Sequence, residues 1–173
     1  AASTWYHAFA IINGGSQDVY FDTSITAANK PSGTTAFRYI GSFKTDASAH
    51  ILQFYQVGQR FFWAAPPADL YNYTGNSAGT ATLSTPPGIV THPILLVSAS
   101  SNNTSSYGFT IISGLTAVAD GECVGVGSSF QGFAQIQTST NTSSQVSYTA
   151  ANNNGGSYIT TLGYINPKVA ANN

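Results

Sequence analysis

The stretch that decides the fold spans residues 18–63 and reads DVYFDTSITAANKPSGTTAFRYIGSFKTDASAHILQFYQVGQRFFW. It contains three or four runs of aromatic and β-branched residues, the side chains that pack well on a pleated sheet. It also holds seven of the eleven acidic and basic residues of the chain: Asp18, Asp22, Lys30, Arg38, Lys44, Asp46 and Arg60. Because opposite charges on neighbouring strands stabilise a sheet, we predict that Asp18 and Asp22 pair with Arg38 or Lys44.

Residues 37–44 show the alternation of a strand most clearly. Phe37, Tyr39, Gly41 and Phe43 are predicted to share one face of the strand, with the residues between them on the other face. Such a pattern is typical of a strand whose two faces meet different surroundings.

The rest of the chain repeats short strands separated by turn residues. Residues 5–12 are aromatic and β-branched and end at Asn13-Gly14-Gly15-Ser16, a sequence that accepts positive φ angles at low cost. Residues 26–30 are the best candidate for one helical turn, and residues 69–79 are predicted to be a loop rich in Tyr, Asn and Gly. Further strands are predicted at 18–22, 51–55, 59–64, 80–84, 94–99, 107–113, 122–126, 133–137, 145–149 and 157–165.

This pattern predicts the fold class. About ten short antiparallel strands with regular turn signals indicate an all-β fold, either a β-sandwich or a jelly roll. No linker or fixed-period repeat interrupts the sequence. We therefore expect a single β-sandwich domain over residues 1–173.

The composition limits the partners that the protein can have. Charged residues make up 6% of the chain, whereas roughly 25% is usual, and the formal net charge is −1. Phosphate binding needs clustered Lys and Arg, so we expect no nucleic acid partner. No run reaches the eighteen or so apolar residues of a membrane span, so membrane insertion is not expected. Since a near-neutral chain repels its own copies only weakly, we expect it to work inside an assembly.

No residue pattern predicts a catalytic or metal site. Cys123 is the only cysteine, which excludes an internal disulfide and a cysteine-based zinc site, and its apolar neighbours favour a small buried thiol. His7, His50 and His92 are too far apart for a local ligand pattern. A metal or anion site remains a hypothesis only if three copies of His7 meet on a threefold axis. We expect no cofactor, no metal and no enzymatic activity.

Two motifs come closest to a catalytic pattern. The segment GNSAG at 75–79 matches the G-x-S-x-G nucleophile elbow, but that motif needs a following helix and residues 80–83 are strand-like. Asp120 and Glu122 lie about 7 Å apart at their Cα atoms if the chain is extended. Such a pair leaves a glycan-cleaving activity as a third hypothesis, beside a turn acid and a strand-start acid with structural roles.

The sequence gives more support to a binding function than to a catalytic one. Tyrosine offers a rigid face with a polar tip, and asparagine offers a donor and an acceptor side by side, which together suit sugars without any charge. The segments 69–76, 100–107 and 152–158 are rich in these residues. The predicted glycan-binding residues are Tyr71, Asn72, Tyr73, Asn76, Tyr107 and Tyr158.

Five segments carry a resemblance to a known family. They are WYHAFAI at 5–11, YFDTSITAAN at 20–29, TAFRYIGSFKTD at 35–46, residues 51–63, and YITTLGYINPK at 158–168. Together they resemble tail-associated proteins of bacteriophages and prophages, of the tail-fibre or spike C-terminal, receptor-binding type. The chain differs from the family pattern at Tyr39, Tyr164 and Lys168, where arginine, tryptophan and arginine are expected.

The resemblance implies a virion component. We expect the end domain of a homotrimeric tail fibre or spike, which contacts other virion proteins and attaches to a host surface glycan. The alternative is a purely structural part, such as a capsid decoration or a fibre module. The residues predicted at the subunit interface are Trp5, His7, Phe9, Asp22, Arg38 and Lys44.

Overall fold

The computed structural model describes residues 1–100, 107–115, 119–125, 131–151 and 155–169, and for 107, 119, 120 and 123–125 only the backbone. Within these residues every regular element is a β-strand, so the all-β class is confirmed, with thirteen strands rather than about ten. The strands are β1 Trp5–Asn13, β2 Ser16–Asp22, β3 Thr34–Lys44, β4 Phe54–Val57, β5 Arg60–Trp63, β6 Ala68–Tyr73, β7 Gly79–Thr82, β8 His92–Ser100, β9 Tyr107–Ile112, β10 Ala119–Gly125, β11 Gln131–Gln137, β12 Gln145–Ala151 and β13 Ser157–Ile165.

The first three strands form an antiparallel sheet of their own, in the order β2-β1-β3. Gly14 and Gly15 join β1 to β2 with φ angles of 56° and 82°, which is the two-residue turn that matches the twist of a hairpin. The predicted turn is thus confirmed. Residues 26–30 form turns and not the predicted helical turn, because Ala27 is left-handed at φ 51° and packs its methyl group under the sheet.

The alternation predicted for the third strand is broken by a bulge. Ile40 has no partner on β1 in the ladder, so the strand changes face at this position. Tyr39 pairs with Phe9 and packs against it, whereas Phe43 lies on the opposite face and stacks on Tyr6 at 5.5 Å between ring centroids. The prediction that Tyr39 and Phe43 share a face is therefore wrong.

The remaining strands form two sheets. The smaller has the order β10-β9-β12-β7, and the larger has the order β11-β8-β13-β5-β4, with β6 also paired to β13. β13 is central to the larger sheet, because β8 runs along one edge while β5 and β6 share the other edge end to end. The prediction of a loop at 69–79 is wrong for β6. Its polar, turn-prone residues become a strand because the open edge of β13 offers backbone partners that must be paired.

The largest cluster of buried hydrophobic residues lies between these two sheets. The larger sheet contributes Leu95, Val97, Ala99, Ile136 and Ile159, and the smaller sheet contributes Ala81, Phe109, Ile111, Val146, Tyr148 and Ala150. Every second side chain of β8 and of β12 enters this cluster, as the two-residue period of a strand predicts.

An aromatic cluster joins the three-stranded sheet to the sandwich. Trp5 of β1 contacts Trp63 of β5 with ring centroids 5.8 Å apart and Tyr164 of β13 at 6.5 Å. Phe61 stacks on Tyr164 at 4.5 Å. Such pairs contribute about 0.5–1.5 kcal/mol each beyond the area they bury. This junction cluster holds the two parts of the chain together, and the prediction of one domain over 1–173 stays a prediction.

Candidate functional site

Four strands end and four strands begin at one end of the sandwich, which we call the loop end. The ladder pairs that define it are Tyr73 with Ser157, Ser157 with Ala99, Ser100 with Gln131, Tyr107 with Gly125, Gly108 with Ala151 and Gly79 with Tyr148. The connecting segments 101–106, 126–130 and 152–154 lie outside the described residues, and so does most of the predicted binding segment 100–107. None of these connections, nor residues 74–78, contains a charged residue.

Three of the predicted glycan-binding residues meet at the loop end. The rings of Tyr71 and Tyr158 are 5.2 Å apart at an interplanar angle of 86°, and the Tyr158 hydroxyl donates to Asn72 Oδ1 at 3.3 Å. Tyr71 is 76% exposed. We call these three residues the tyrosine patch. It is assembled from β6 and β13, which are distant in sequence and adjacent in the sheet.

The backbone around the tyrosine patch is unusual for a strand. Asn72 has a positive φ of 51°, a conformation that asparagine tolerates better than most residues. Gly156 faces it at φ 100°, and a Cβ at this position would overlap the Asn72 carboxamide oxygen. Glycine at 156 therefore leaves room for the amide of Asn72 to accept the Tyr158 hydroxyl.

The other three predicted binding residues are Tyr73, Asn76 and Tyr107. Tyr73 is half-buried, packs its ring on Tyr148 at 5.1 Å and hydrogen-bonds with the Ser77 hydroxyl at 2.9 Å, so it supports the core. Asn76 is exposed in the connection to β7. The side chain of Tyr107 lies outside the described residues.

The tyrosine patch has the chemistry of a neutral binding surface. One exposed aromatic ring stands edge-on to a second, and an amide lies beside them. Aromatic faces stack on the C–H faces of sugars, while amides pair with their hydroxyl groups. None of the three residues of the tyrosine patch is acidic or basic.

Asp69 lies two residues from the patch but is used inside the protein. Its carboxylate accepts hydrogen bonds from the Ser84 N–H at 3.1 Å, from the Ser84 hydroxyl at 2.7 Å and from the Thr161 hydroxyl. Burial raises the pKa of Asp69, and these hydrogen bonds only partly oppose the rise. Asp69 thus links Ser84, which follows β7, to Thr161 of β13, and we assign it a structural role.

The predicted pairing of Asp18 and Asp22 with Arg38 or Lys44 is wrong, because none of these side chains forms an ion pair with another described residue. Asp22 accepts from the Ser24 N–H at 3.0 Å and from both the backbone and side-chain N–H groups of Asn29 at 2.9 Å. Burial acts to raise the pKa of Asp22, but these bonds hold it below its ordinary value. Asp22 is on β2 and both Arg38 and Lys44 are on β3. Because β1 lies between these two strands, the carboxylate and the cations are not on neighbouring strands.

His7 belongs to a buried polar chain. Its Nδ1 lies 2.8 Å from the Ser42 hydroxyl, which also hydrogen-bonds with the Tyr39 hydroxyl at 2.6 Å. Asn166 then donates to Tyr39 at 2.6 Å, linking the three-stranded sheet to the residues after β13. Burial lowers the pKa of His7, with Asp22 opposing the shift. A buried His7 leaves no surface for a metal or anion on a threefold axis.

The predicted interface residues therefore divide into two groups. His7, Phe9 and Asp22 are buried by their own chain, and Trp5 packs within the junction cluster. Arg38 is exposed on β3. Lys44 lies half-buried with its ammonium 5.9 Å from the centre of the Trp5 ring. An interface role stays a prediction for Arg38 and Lys44, whereas the buried residues have little area left to offer a second copy.

The hypotheses of catalysis and metal binding gain no support in the described residues. No group of three His, Cys, Asp or Glu side chains there is placed to hold a metal ion. Gly79 of the GNSAG segment opens strand β7, so the elbow geometry is not formed. The side chains of Asp120 and Cys123 lie outside the described residues, and Glu122 is exposed on β10. No helix in the described part of the chain has the length and apolar character to span a membrane.

Comparisons with known proteins found no match. No protein-family model, no curated protein and no solved structure matches it. The arguments for function therefore depend on the residues and the geometry given above.

Proposed function

We propose that the chain is a bacteriophage or prophage virion component, the end domain of a homotrimeric tail fibre or spike that attaches to a host surface glycan. The partners are other copies of the chain, other virion proteins and the glycan, and the location is the particle surface. The segments that resemble phage tail-associated proteins support this proposal, as does a composition with only 6% charged residues, which leaves little repulsion between copies.

We further propose that strands β6 to β13 form a jelly roll. Its support is the strand order: β6-β13-β8-β11 in one sheet and β10-β9-β12-β7 in the other, all antiparallel. Eight strands that alternate between two sheets in this order form two Greek keys. Jelly rolls are common in viral capsid proteins and in lectins, so the order is consistent with both attachment and a structural role.

The observation that carries the attachment proposal is the tyrosine patch. Tyr71 is exposed, Tyr158 is held against it edge to face, and Asn72 fixes the hydroxyl of Tyr158. A surface aromatic pair of this kind needs no large change of conformation before it stacks on a sugar ring. It lies at the loop end, where the connections between strands contain no charged residue in the sequence.

Glycan arrays and immobilised host polysaccharide test this proposal. We expect the wild-type protein to bind, and Tyr71→Ala or Tyr158→Ala to bind about tenfold more weakly or worse, as the loss of an aromatic anchor predicts. Tyr55→Ala is the matched control, because Tyr55 is 60% exposed on β4 and lies outside the patch. A folded wild-type protein that binds no glycan would overturn the attachment proposal.

A structural module without receptor binding is the second candidate. It is favoured by the exposed apolar side chains Val19, Phe21 and Ile12 of the three-stranded sheet, since such surfaces mark contacts with other proteins. Microscopy of labelled particles separates the two: a position at a tail tip supports attachment, and a position on the capsid or within a fibre supports the module. Release of new reducing ends from host polysaccharide would instead support cleavage by Asp120 and Glu122.

A further inference from the structure

The larger sheet of the sandwich has an open face on the side away from the main cluster. Along β8, Leu95 and Val97 enter that cluster, whereas the side chains of Leu96 and Ser98 lie on the opposite face. β11 flanks β8 on one side and β13 flanks it on the other. We call the open side of these three strands the β8 strip.

The tyrosine patch lies next to a third aromatic side chain on the β8 strip. Ser98 of β8 is paired with Tyr158 of β13 on one side and with Phe133 of β11 on the other. Because directly opposed residues share a face of the sheet, both rings stand on the open face. Their Cα atoms are about 10 Å apart, which is two strand spacings. Phe133 is 62% exposed, so it offers an accessible ring opposite Tyr158.

Ser98 forms the floor between these two rings. It is only 8% exposed although it lies on the open face, because a larger side chain flanks it on each side. Its hydroxyl has no hydrogen-bond partner among the described residues. A hydroxyl can both donate to and accept from a sugar hydroxyl, and a polar group that is nearly buried gains from such a partner. A sugar unit above Ser98 would contact both rings.

The other end of the β8 strip contains a cavity of about 320 Å³. It is lined by Arg60, Ile94, Gln135, Gln137 and Ile165. Ile165 ends β13 and Tyr158 is near its start, so the cavity lies on the order of 20 Å from the tyrosine patch at the rise of a strand. Apolar surface with a few amides is typical of a site for an uncharged sugar ring. The strip is therefore long enough for several sugar units.

Arg60 gives the cavity a positive charge. The acidic and basic residues in the strands of the larger sheet are Arg60 and Asp69, and Asp69 is already bound to Ser84 and Thr161. Arg60 is exposed and forms no ion pair with another described residue. A guanidinium group binds carboxylates and phosphates through paired hydrogen bonds. An acidic group on the ligand would complement this end of the strip.

We propose that the β8 strip binds an extended acidic polysaccharide that runs along β8. One sugar unit lies over Ser98 between Phe133 and Tyr158, and an acidic group further along the chain, a carboxylate or a phosphate, contacts Arg60. This inference rests on the attachment role in the proposed function. It adds a ligand class, a direction across the sheet and two binding residues, Phe133 and Arg60.

Binding to chains that differ in charge tests the ligand class. The probes are polygalacturonate and hyaluronan as carboxylate chains, poly(ribitol phosphate) as the phosphate chain, and dextran and methyl-esterified polygalacturonate as neutral chains. We expect the wild-type protein to bind carboxylate chains or the phosphate chain at least about tenfold more tightly than the neutral chains, as one ionic contact predicts. The preferred acidic group identifies the source. Equal binding of acidic and neutral chains overturns this inference and leaves the proposed function standing, whereas no binding to any glycan overturns both.

Substitutions at the two ends of the strip test the path of the chain. Arg60→Gln should weaken binding of acidic chains by about tenfold and leave neutral chains unchanged, and Phe133→Ala should weaken binding of both by about tenfold. Arg38→Gln and Phe21→Ala are the matched controls, because they change an exposed arginine and a 50% exposed phenylalanine of the three-stranded sheet. Both controls should bind as the wild type does.

The outcomes of these substitutions separate the β8 strip from the tyrosine patch. Circular dichroism verifies that each variant is folded. If Tyr158→Ala loses glycan binding while Phe133→Ala and Arg60→Gln keep the wild-type affinity, the ligand is confined to the tyrosine patch. That result overturns the β8 strip alone. Loss of binding in the Arg38 or Phe21 control, with the Phe133 and Arg60 variants unaffected, places the glycan on the three-stranded sheet and also overturns it.

Discussion

The sandwich and the three-stranded sheet bury their side chains in different ways. In the sandwich each sheet covers the other, and Val97, Phe109 and Val146 are completely buried. In the three-stranded sheet one face is open, and the covered face contains polar side chains such as His7 and Asp22. Six of the eleven charged residues lie within residues 18–46. The sandwich therefore has its largest apolar cluster between two sheets that cover each other, whereas the smaller sheet combines apolar packing with hydrogen bonds of polar side chains on its one covered face.

The largest expected effect comes from deleting one ring in each region. Phe109→Ala should lower the free energy of unfolding of the whole chain by about 3–5 kcal/mol, because it leaves a cavity in the main cluster. Phe9→Ala should act locally, so that amides of β1 lose protection while those of β8 keep it. Hydrogen exchange resolved by residue measures both. Equal loss of protection in β1 and β8 of the Phe9 variant would show that the regions unfold as one unit.

A smaller effect is expected where the two regions meet. A Cβ at Gly163 of β13 would overlap the carbonyl oxygen of Phe61 in β5, and backbone cannot move as a side chain can. Gly163→Ala should therefore cost on the order of 3 kcal/mol in urea unfolding. Gly108→Ala is the control, because its Cβ meets only the flexible end of Glu122, at 2.7 Å. If both variants cost the same, the close approach of β5 and β13 is not what requires glycine.

Acid should weaken the three-stranded sheet before the sandwich. Burial lowers the pKa of His7 below 6.5, so the unfolded chain binds the proton more readily than the folded chain. The stability contributed by neutral His7 is complete above pH 6.5 and is lost as the pH falls through the folded pKa. We expect amides of β1 to lose protection in this range, and His7→Gln to flatten the dependence. An unchanged pH profile in the variant would contradict the role of His7.

The smallest effect is expected at the tyrosine patch. Tyr71→Ala should lower the free energy of unfolding by about 0.5–1.5 kcal/mol, since it removes one edge-to-face pair, with Tyr158, from an exposed position. Thermal unfolding checks this expectation beside the glycan arrays. A large loss of stability would mean that the ring supports β6, and that weaker glycan binding by the variant reports folding.

Some strands could be predicted because their signals are local. Asn13-Gly14-Gly15-Ser16 supplies the positive φ angles of a hairpin, and residues 94–99 are apolar enough to be a buried strand. β6 could not be predicted, since Asp69 and Asn72 favour turns by themselves. It becomes a strand through pairing with β13, about ninety positions later in the chain. The bulge at Ile40 likewise depends on the register with β1.

The candidate site was predictable as a set of residue types and not as an arrangement. Tyrosine and asparagine predicted a neutral binding surface, but their spacing in the sequence did not show that Tyr71, Asn72 and Tyr158 meet. The charged residues within 18–63 also predicted ion pairs between neighbouring strands. The carboxylate of Asp22 instead accepts hydrogen bonds from Ser24 and Asn29 in the loop that follows it. Short polar side chains readily bond to nearby backbone groups, and sequence spacing alone does not reveal that competition.

The amino-acid sequence by itself determined the all-β class, the scarcity of charge and the neutral chemistry of the surface, because these depend on composition and on patterns a few residues long. Only the folded structure shows which faces are covered and how β6 and β13 bring Tyr71 to Tyr158. The physical reason is that backbone pairing between distant strands sets the register, and the register decides which side of a sheet each side chain occupies.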